Sequence, residues 1–492
     1  MRNLIGDEVK VMKGVLSKST LYCYPQGQRQ APTRHSQMAS EGSCSCARLP
    51  CAWKRCPSTS PTVKRRVSLG FGLIVLATLP LACQGTESMD PGEWSQFRGP
   101  AGLGISPTEN LPATWSEESV NVLWKTQIPG TGNSSPIVSH GRVFLTTSYL
   151  FGKRQARKSA IALDLDSGEL LWETEIHSGY RGKRHHLNTF AAPTPVTDGR
   201  QVYVHFGDVL AALDREGQIL WKNPIDPQYV EFAHYGAASS PVLTDRVVIV
   251  AQDREEVREK PGWLAAFDRQ TGKEMWRTTW EDSCCSYTTP LVRRRGDREE
   301  VIFVMAGSVR AFDALTGEVL WRRGHLMDQP VASPVTEGDL LTVFSGAHTN
   351  KYGAMLRLSG SGKETRVELL WDTKRMIPQT ASPLLLDGRL YTLTEQGVMA
   401  CFNALSGKQL WKKRLPQGSY RSSLIAGDGK IYAVSGTGHT IVIAATEKFE
   451  MLSNNPLAEG GNASPAIVGD TILIRTESSL YRIASDDQRP AA

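Results

Sequence analysis

Short apolar runs separated by polar turns repeat along most of this chain, and the same order of residues returns each time. Five clear copies are ALDLDSGELLW (162–172), AALDREGQILW (211–221), AAFDRQTGKEMW (265–276), AFDALTGEVLW (311–321) and CFNALSGKQLW (401–411). Each copy is an apolar strand, an Asp or Asn, a turn that contains Gly, and a second strand that ends in Trp. Such turns join neighbouring antiparallel strands. The pattern therefore predicts a chain built from repeated β-hairpins.

A second marker, a small residue followed by proline or its equivalent, begins each copy. The eight anchor positions are Pro136, Pro195, Pro241, Pro290, Pro334, Pro383, Leu424 and Pro465. Their spacing runs from 41 to 59 residues, and four short apolar runs fit between consecutive anchors. A period of this length with four strands is typical of a β-propeller blade. The repeats thus predict an all-β, eight-bladed β-propeller of four-stranded antiparallel blades over residues 121–485.

The two ends of the repeat region complement each other. The last copy ends at SSLYRIA (478–484) without its Trp strand, and NVLWKTQI (121–128) is a Trp strand without a blade. Pairing them would remove two exposed strand edges. We therefore expect the N-terminal Trp strand to close the propeller, with residues 84–120 as an N-terminal extension and 486–492 as a tail.

The repeated tryptophans are expected to be structural. They are Trp124, Trp172, Trp221, Trp276, Trp321, Trp371 and Trp411. Each would pack between neighbouring blades, because an indole buries a large apolar area. The turn glycines, such as Gly168 and Gly272, are expected to adopt a positive φ, which costs glycine little.

Charge separates the first 83 residues from the rest. Residues 1–83 carry 12 Lys/Arg and 3 Asp/Glu, a net of +9, whereas the remaining 409 residues carry 44 Lys/Arg and 47 Asp/Glu, a net of −3. The nearly neutral repeat region gives no electrostatic basis for nucleic acid binding.

An export signal is predicted over residues 63–83. Lys64-Arg65-Arg66 precedes the apolar run VSLGFGLIVLATLPLA, which ends at Cys83. Leu81-Ala82-Cys83 resembles the end of a lipoprotein box, although Pro80 stands where Leu is usual, so lipidation of Cys83 is the favoured interpretation. The alternatives are cleavage to a soluble periplasmic form and an uncleaved anchor. Residues 1–62 show no periodic pattern, and we interpret them as disordered or as a misassigned translation start.

The repeat, A-x-D-x-x-(T/S)-G-x-x-x-W, resembles the bacterial PQQ-like β-propeller repeat. The resemblance covers about residues 92–485 and includes the opening EWSQFRGPAGLGIS (93–106). That repeat occurs in quinoprotein dehydrogenases and in non-enzymatic lipoproteins, such as the scaffold subunit of the outer-membrane β-barrel assembly machine. The motif is specific for the fold and weak for activity, since blades persist where chemistry is lost.

Adjacent Cys284 and Cys285 are the one feature that matches quinoprotein chemistry. The resemblance implies that PQQ would lie against a vicinal disulfide, with Ca²⁺ held by a Glu and an Asn and an Asp as base. Only the cysteine pair has a counterpart here, and it follows the third blade, later than in the dehydrogenases. No C-x-x-C-H haem motif is present. A disulfide that staples the loop, structural or redox-sensitive, is therefore favoured over a quinone role, and no metal ligands are assigned.

The links from each outer strand to the next inner strand lie on the face where propellers usually bind ligands. His186, Asn188, Tyr287 and Arg421 fall on such links and are candidates for that face, although the favoured interpretation is that they are ordinary loop residues that satisfy turns. We expect an exported propeller that binds envelope proteins or peptides without catalysis and without a cofactor. A PQQ- and Ca²⁺-dependent alcohol dehydrogenase of the periplasm is the alternative, and carbohydrate binding remains a further option.

Overall fold

A computed structural model describes most of the predicted propeller and part of its extension. The described residues are 90–118, 121–180, 182–226, 235–253, 261–283, 285–327, 329–346, 350–416 and 418–485. The predicted segments 1–62 and 63–83, the tail 486–492, the lipidation site Cys83 and one half of the cysteine pair, Cys284, lie outside these residues.

Within the described residues, no helix has the length and hydropathy that a bilayer crossing requires.

The described strands form eight four-stranded antiparallel sheets, which confirms the predicted fold class. Blade 1 contains β2 (Ile137–Ser139), β3 (Arg142–Phe151), β4 (Gln155–Asp164) and β5 (Leu170–Tyr180). Blade 2 contains β6 (Val196–Thr197), β7 (Gln201–His205), β8 (Val209–Asp214) and β9 (Ile219–Pro224). Blade 3 contains β10 (Val242–Leu243), β11 (Val247–Gln252), β12 (Gly262–Asp268) and β13 (Glu274–Trp280). Blade 4 contains β14 (Leu291–Arg295), β15 (Arg298–Met305), β16 (Ser308–Asp313) and β17 (Val319–Gly324).

The next three blades follow the same order from inner to outer strand. Blade 5 contains β18 (Val335–Glu337), β19 (Leu340–Ser345), β20 (Tyr352–Ser359) and β21 (Arg366–Thr373). Blade 6 contains β22 (Leu384–Leu386), β23 (Arg389–Leu393), β24 (Val398–Asn403) and β25 (Gln409–Arg414). Blade 7 contains β26 (Ile425–Gly427), β27 (Lys430–Val434), β28 (His439–Ala444) and β29 (Met451–Pro456). Two 3-10 helices, Pro100–Gly102 and Gly362–Glu364, lie among the described residues.

Blade 8 is assembled from both ends of the repeat region. Its inner strands are β30 (Ala466–Val468), β31 (Thr471–Arg475) and β32 (Ser479–Ile483), and its outer strand is β1 (Val122–Gln127). β1 runs antiparallel to β32, with Lys125 opposite Tyr481. The strand that carries Trp124 therefore occupies the position that the other blades fill with their own fourth strand.

Apolar side chains pack between adjacent blades and form the core. One cluster joins Ile137 and Phe144 of blade 1 to Val202 and Val204 of blade 2, all almost fully buried. The inner strands are buried on both faces, whereas the outer strands alternate between exposed and partly buried residues. Burial of this kind favours the β-branched and aromatic residues that these strands contain.

The outer tryptophan ring, which consists of the seven repeated tryptophans on the outer strands of all blades except blade 7, joins most blades to the next. In six of the seven, the indole Nε1 donates to a backbone carbonyl in a turn of the following blade, as in the 2.9 Å bond from Trp221 to Arg269. In five of these six the contacted turn contains a glycine with a positive φ, +70° at Gly272, and a Cβ there would lie 2.5 Å from the Trp221 ring. Trp321 differs, because its indole donates to the Glu300 carboxylate at 3.2 Å.

The extension, of which residues 90–118 are described, is bound to the propeller along several blades. Trp94 pairs with Val138 of blade 1, and Ile105 pairs with Ala426 of blade 7. Trp94 is 1% exposed, and Arg98 is completely buried. The sequence predicted only an extension here, so its integration into the core is a finding of the structure.

Candidate functional site

A cavity of about 300 Å³ lies at the centre of the propeller. Each of the eight links that lead into an inner strand contributes to its wall, and Phe97 of the extension and Glu395 of blade 6 complete it. The antiparallel order of the strands places all these links on one face, which we call the link face. The opposite face carries the turns between the first two strands of each blade, such as the turn at Arg200.

Eight hydroxyl side chains, one per blade, form a ring in this cavity, which we call the hydroxyl ring. Its members are Ser135, Thr194, Ser240, Thr289, Ser333, Ser382, Ser423 and Ser464. Each occupies the position before the anchor proline or Leu424. Each backbone N–H donates to the hydroxyl oxygen of the next member at 2.9 to 3.1 Å, and the bond from Ser464 to Ser135 closes the circle.

The hydroxyl ring satisfies a group that every inner strand would otherwise leave unpaired. All eight residues are buried, and a buried N–H without a partner costs about 1–3 kcal/mol. The small residue before each anchor is therefore a blade-to-blade connection. It was visible in the sequence as a repeated Ser or Thr, but its circular pairing needed the three-dimensional order of the blades.

Aromatic side chains from the links of blades 2 and 3 and of blades 3 and 4 lie at one side of the cavity. The rings of Tyr235 and Tyr287 meet edge to face, with centroids 5.8 Å apart. His185 stacks on Tyr235 at 5.5 Å. The side-chain amide of Asn188, on the link between blades 1 and 2, donates to the Tyr235 carbonyl at 2.8 Å and to the Ala237 carbonyl at 3.1 Å, so it ties that link to the link between blades 2 and 3.

An ion pair lies at another part of the wall. Arg421 Nε is 2.5 Å from the Glu395 carboxylate, and both side chains are about one-fifth exposed. Glu395 supplies the only carboxylate among the described residues that line the cavity. The pair leaves this part of the wall electrically neutral.

The extension brings a second arginine close to the hydroxyl ring. Arg98 Nη2 donates to the carbonyls of Leu103 and Pro383, and Pro383 directly follows Ser382 of the ring. Nε and Nη1 of Arg98 have no hydrogen-bond partner among the described residues. Burial lowers the pKa of Arg98 to about 9. The guanidinium is thus still mainly protonated at neutral pH, without a carboxylate partner in the described part of the chain.

A buried polar cluster supports the ring from blades 1 and 2. Lys158 Nζ is 2.8 Å from Asp208, and His177 Nε2 is 3.6 Å from the same carboxylate. The neighbouring His205 contacts the Ser239 carbonyl through Nδ1 at 3.3 Å, next to Ser240 of the ring. Desolvation lowers the pKa of His205 to about 4, so this imidazole is neutral at pH 7.

The structure brings three of the four link-face candidates together. Asn188, Tyr287 and Arg421 line the cavity, while His186 is exposed beside it and its ring lies 4.2 Å from that of His185. Cys285 has a positive φ of 64° and does not line the cavity. Because Cys284 lies outside the described residues, the disulfide remains a prediction. Phe97, Arg98 and the hydroxyl ring were not among the predicted site residues.

The donor set of the cavity does not fit the Ca²⁺ site that quinoprotein chemistry implies. Ca²⁺ takes six to eight oxygen ligands, usually including several carboxylates. The described wall offers one carboxylate, Glu395, and Arg421 already neutralises it. No group of three or more His, Cys, Asp and Glu residues in the described part of the chain is arranged to hold a metal ion. We therefore derive no step through Ca²⁺ or PQQ.

Comparison with known proteins gives matches to two functional classes. The PQQ_2 family model, described as outer membrane protein assembly factor BamB, matches residues 108–255, 208–362 and 305–487. The outer membrane protein assembly factor BamB of Yersinia pestis is 22% identical over 383 residues, which cover 77% of this chain and 82% of that protein.

The second class consists of quinone-dependent dehydrogenases. The dehydrogenase subunit of the quinone alcohol dehydrogenase of Gluconobacter oxydans is 24% identical over 311 residues, 59% of this chain and 38% of that protein. Among solved structures, a europium-containing methanol dehydrogenase superposes with a TM-score of 0.59 at 11% identity and covers 80% of this chain and 98% of its own. At this identity the structural likeness shows the shared propeller fold alone.

Proposed function

This chain belongs to the PQQ_2 family, and from that premise we propose that it is a non-catalytic, protein-binding propeller of the bacterial cell envelope. The observation that carries the proposal is the family match, which extends over three overlapping stretches between residues 108 and 487. The relative from Yersinia pestis, an assembly factor by name, is similar over most of its own length. We expect this chain to act in a comparable way, as a scaffold for envelope proteins or peptides.

The link face is the proposed binding surface. It carries exposed His186 and the partly exposed side chains of Tyr287 and Arg421, grouped around one opening. Aromatic residues and arginine are enriched in protein-protein interfaces, because they combine large contact area with directional hydrogen bonds. Export through residues 63–83, with a lipid on Cys83, would place this face in the periplasm next to a membrane.

A PQQ-dependent dehydrogenase is the competing function, and the match to the Gluconobacter oxydans subunit is the reason to test it. The neutralised carboxylate in the cavity wall does not support that function. The decisive measurement is dye-linked alcohol oxidation by the purified protein after addition of PQQ and Ca²⁺. Turnover would overturn the scaffold proposal.

Site-specific photo-crosslinking in the native cell tests the scaffold directly. A crosslinking amino acid replaces His186 on the link face, and in a control it replaces Arg200, an exposed residue on the opposite face. We expect crosslinks to identified outer-membrane assembly proteins from position 186 and none from position 200. Equal crosslinking from both positions, or none from position 186, would contradict the proposed surface.

A further inference from the structure

The hydroxyl ring holds hydrogen-bond donors that the described residues do not use. Each of its eight oxygens accepts one backbone N–H, so each oxygen is fixed in place. A serine or threonine hydroxyl also has one hydrogen to donate. Among the described residues, no acceptor takes the hydrogen of any ring member. Eight hydroxyl donors on fixed oxygens therefore line one cavity.

A further hydroxyl on the same wall has no hydrogen-bond partner among the described residues. Thr380 lines the cavity, and its Oγ1 is buried without any hydrogen-bond partner in the described part of the chain. Buried polar groups in folded proteins are nearly always paired, so an unpaired group points to a missing water, ion or ligand. Thr380 is independent of the ring bonds, and its hydroxyl can donate to the same acceptor. The same wall also holds one buried acceptor without a partner among the described residues, Asn462 Oδ1, which a water molecule bound beside the ligand can satisfy.

The charges around the cavity favour a negative acceptor. Glu395 and Arg421 cancel each other on the wall. Arg98 adds a buried positive charge without a carboxylate partner in the described residues. Its Nη2 donates to the carbonyl of Pro383, the residue next to Ser382 of the ring. A carboxylate offers two oxygens that accept about four hydrogen bonds, and bonds to an ionised acceptor are about twice as strong as neutral ones.

We propose that the hydroxyl ring is a binding site for the carboxylate of an organic acid, held by ring hydroxyls and favoured by the charge of Arg98. The aromatic side of the cavity, with Tyr235 and Tyr287, would contact the apolar part of such a ligand, and Phe97 of the extension offers a further apolar surface on the wall. The site does not depend on protein binding at the link face, since a free acid would fill it equally well. Water alone is the competing occupant, because water also accepts from hydroxyls.

Isothermal titration calorimetry with benzoate and with its neutral isostere benzamide tests the site on the whole exported chain. We expect saturable one-to-one binding of benzoate and much weaker binding of benzamide at matched ionic strength. Absence of saturable benzoate binding, or equal affinity for both compounds, would overturn the proposal and leave water as the occupant.

Matched variants locate the binding. Ser135→Ala removes a ring hydroxyl, and Ser139→Ala removes a buried hydroxyl further along the same short segment, outside the cavity. Loss of one hydrogen bond to a charged group should weaken benzoate binding about tenfold in Ser135→Ala and leave it unchanged in Ser139→Ala. Thr380→Val is a second variant that breaks no ring bond and is expected to fold even if Ser135→Ala does not. Equal affinities in all variants would contradict the assignment.

The carboxylate could belong to a polypeptide C-terminus or to a free organic acid. Binding of a short alanine peptide with a free C-terminus, and of the same peptide with an amidated C-terminus, distinguishes these two sources. Binding of the free peptide that exceeds that of benzoate assigns the site to polypeptide ends, whereas stronger binding of benzoate assigns it to free organic acids. If the amidated peptide binds as tightly as the free one, the site does not require a carboxylate and the proposal is wrong.

Discussion

Two concentric rings repeat with the blades, and they use hydrogen bonds differently. In the outer tryptophan ring, each indole N–H donates to an acceptor within the protein, and the indole face covers a turn glycine in blades such as the third, where Trp221 lies over Gly272. In the hydroxyl ring, each oxygen is used as an acceptor, while each hydroxyl hydrogen has no acceptor among the described residues. The hydrogen-bond donors of the outer tryptophan ring are all satisfied within the protein, whereas those of the hydroxyl ring have no acceptor among the described residues.

This difference separates the repeated positions that only stabilise the fold from those that also face a ligand. A position whose hydrogen-bonding groups are all satisfied within the protein contributes to stability alone. A position with donors left over at a cavity contributes to stability and offers a binding site. Repetition along the sequence does not distinguish the two cases, because the Trp recurs in seven of the eight blades and the Ser or Thr in all eight.

The largest effect is expected in the outer ring. Trp221→Ala should lower the free energy of unfolding by about 3–5 kcal/mol, because it opens a cavity between blades 2 and 3 and removes the closer of the two donors to the Arg269 carbonyl. Urea unfolding followed by circular dichroism measures the change. Trp221→Phe, which keeps most of the apolar area, is the control and should cost clearly less.

The affinity of Trp221→Ala for benzoate tests whether the two rings act separately. It should be the same in Trp221→Ala as in the unchanged protein as long as the variant is folded. A loss of affinity that exceeds the loss in Ser135→Ala would contradict the separation of the two rings.

Acid is expected to lower the free energy of unfolding by a smaller amount, through His205 beside the hydroxyl ring. His205 has a folded-state pKa of about 4 and an ordinary value of 6.5, so the unfolded chain binds the proton more readily between these values. The stability that depends on neutral His205 is complete above about pH 6.5 and is lost as the pH falls towards 4, by about 3 kcal/mol at most. Free energies of unfolding measured across this range should fall less steeply in His205→Gln.

The control for the acid effect is His186→Gln, because His186 is exposed on the link face. The free energy of unfolding of His186→Gln should fall with decreasing pH as steeply as that of the unchanged protein. Parallel pH profiles for His205→Gln and the unchanged protein would show that His205 does not set the acid sensitivity.

The fold could be predicted from the sequence because each blade repeats the same local signals. Gly272 and its equivalents mark the turns, and Trp221 and its equivalents mark the outer strands. The candidate site was predicted only in part: Tyr287 and Arg421 were found because their links are polar and lie on a predictable face. Arg98 was not, because it comes from outside the repeats, and its carbonyl partner Pro383 is 285 residues away in the chain.

The smallest effect on stability is expected within the hydroxyl ring. Ser382→Ala leaves the buried Ser333 N–H without its acceptor, which lies at 3.0 Å, and should cost about 1–3 kcal/mol. Ser382→Thr keeps the hydroxyl and should cost less, since Thr194 and Thr289 already occupy ring positions in blades 2 and 4. Urea midpoints of the two variants measure this difference. If Ser382→Ala destabilises the protein as much as Trp221→Ala, the hydroxyl ring is as important for the fold as the outer tryptophan ring, and the contrast between them is wrong.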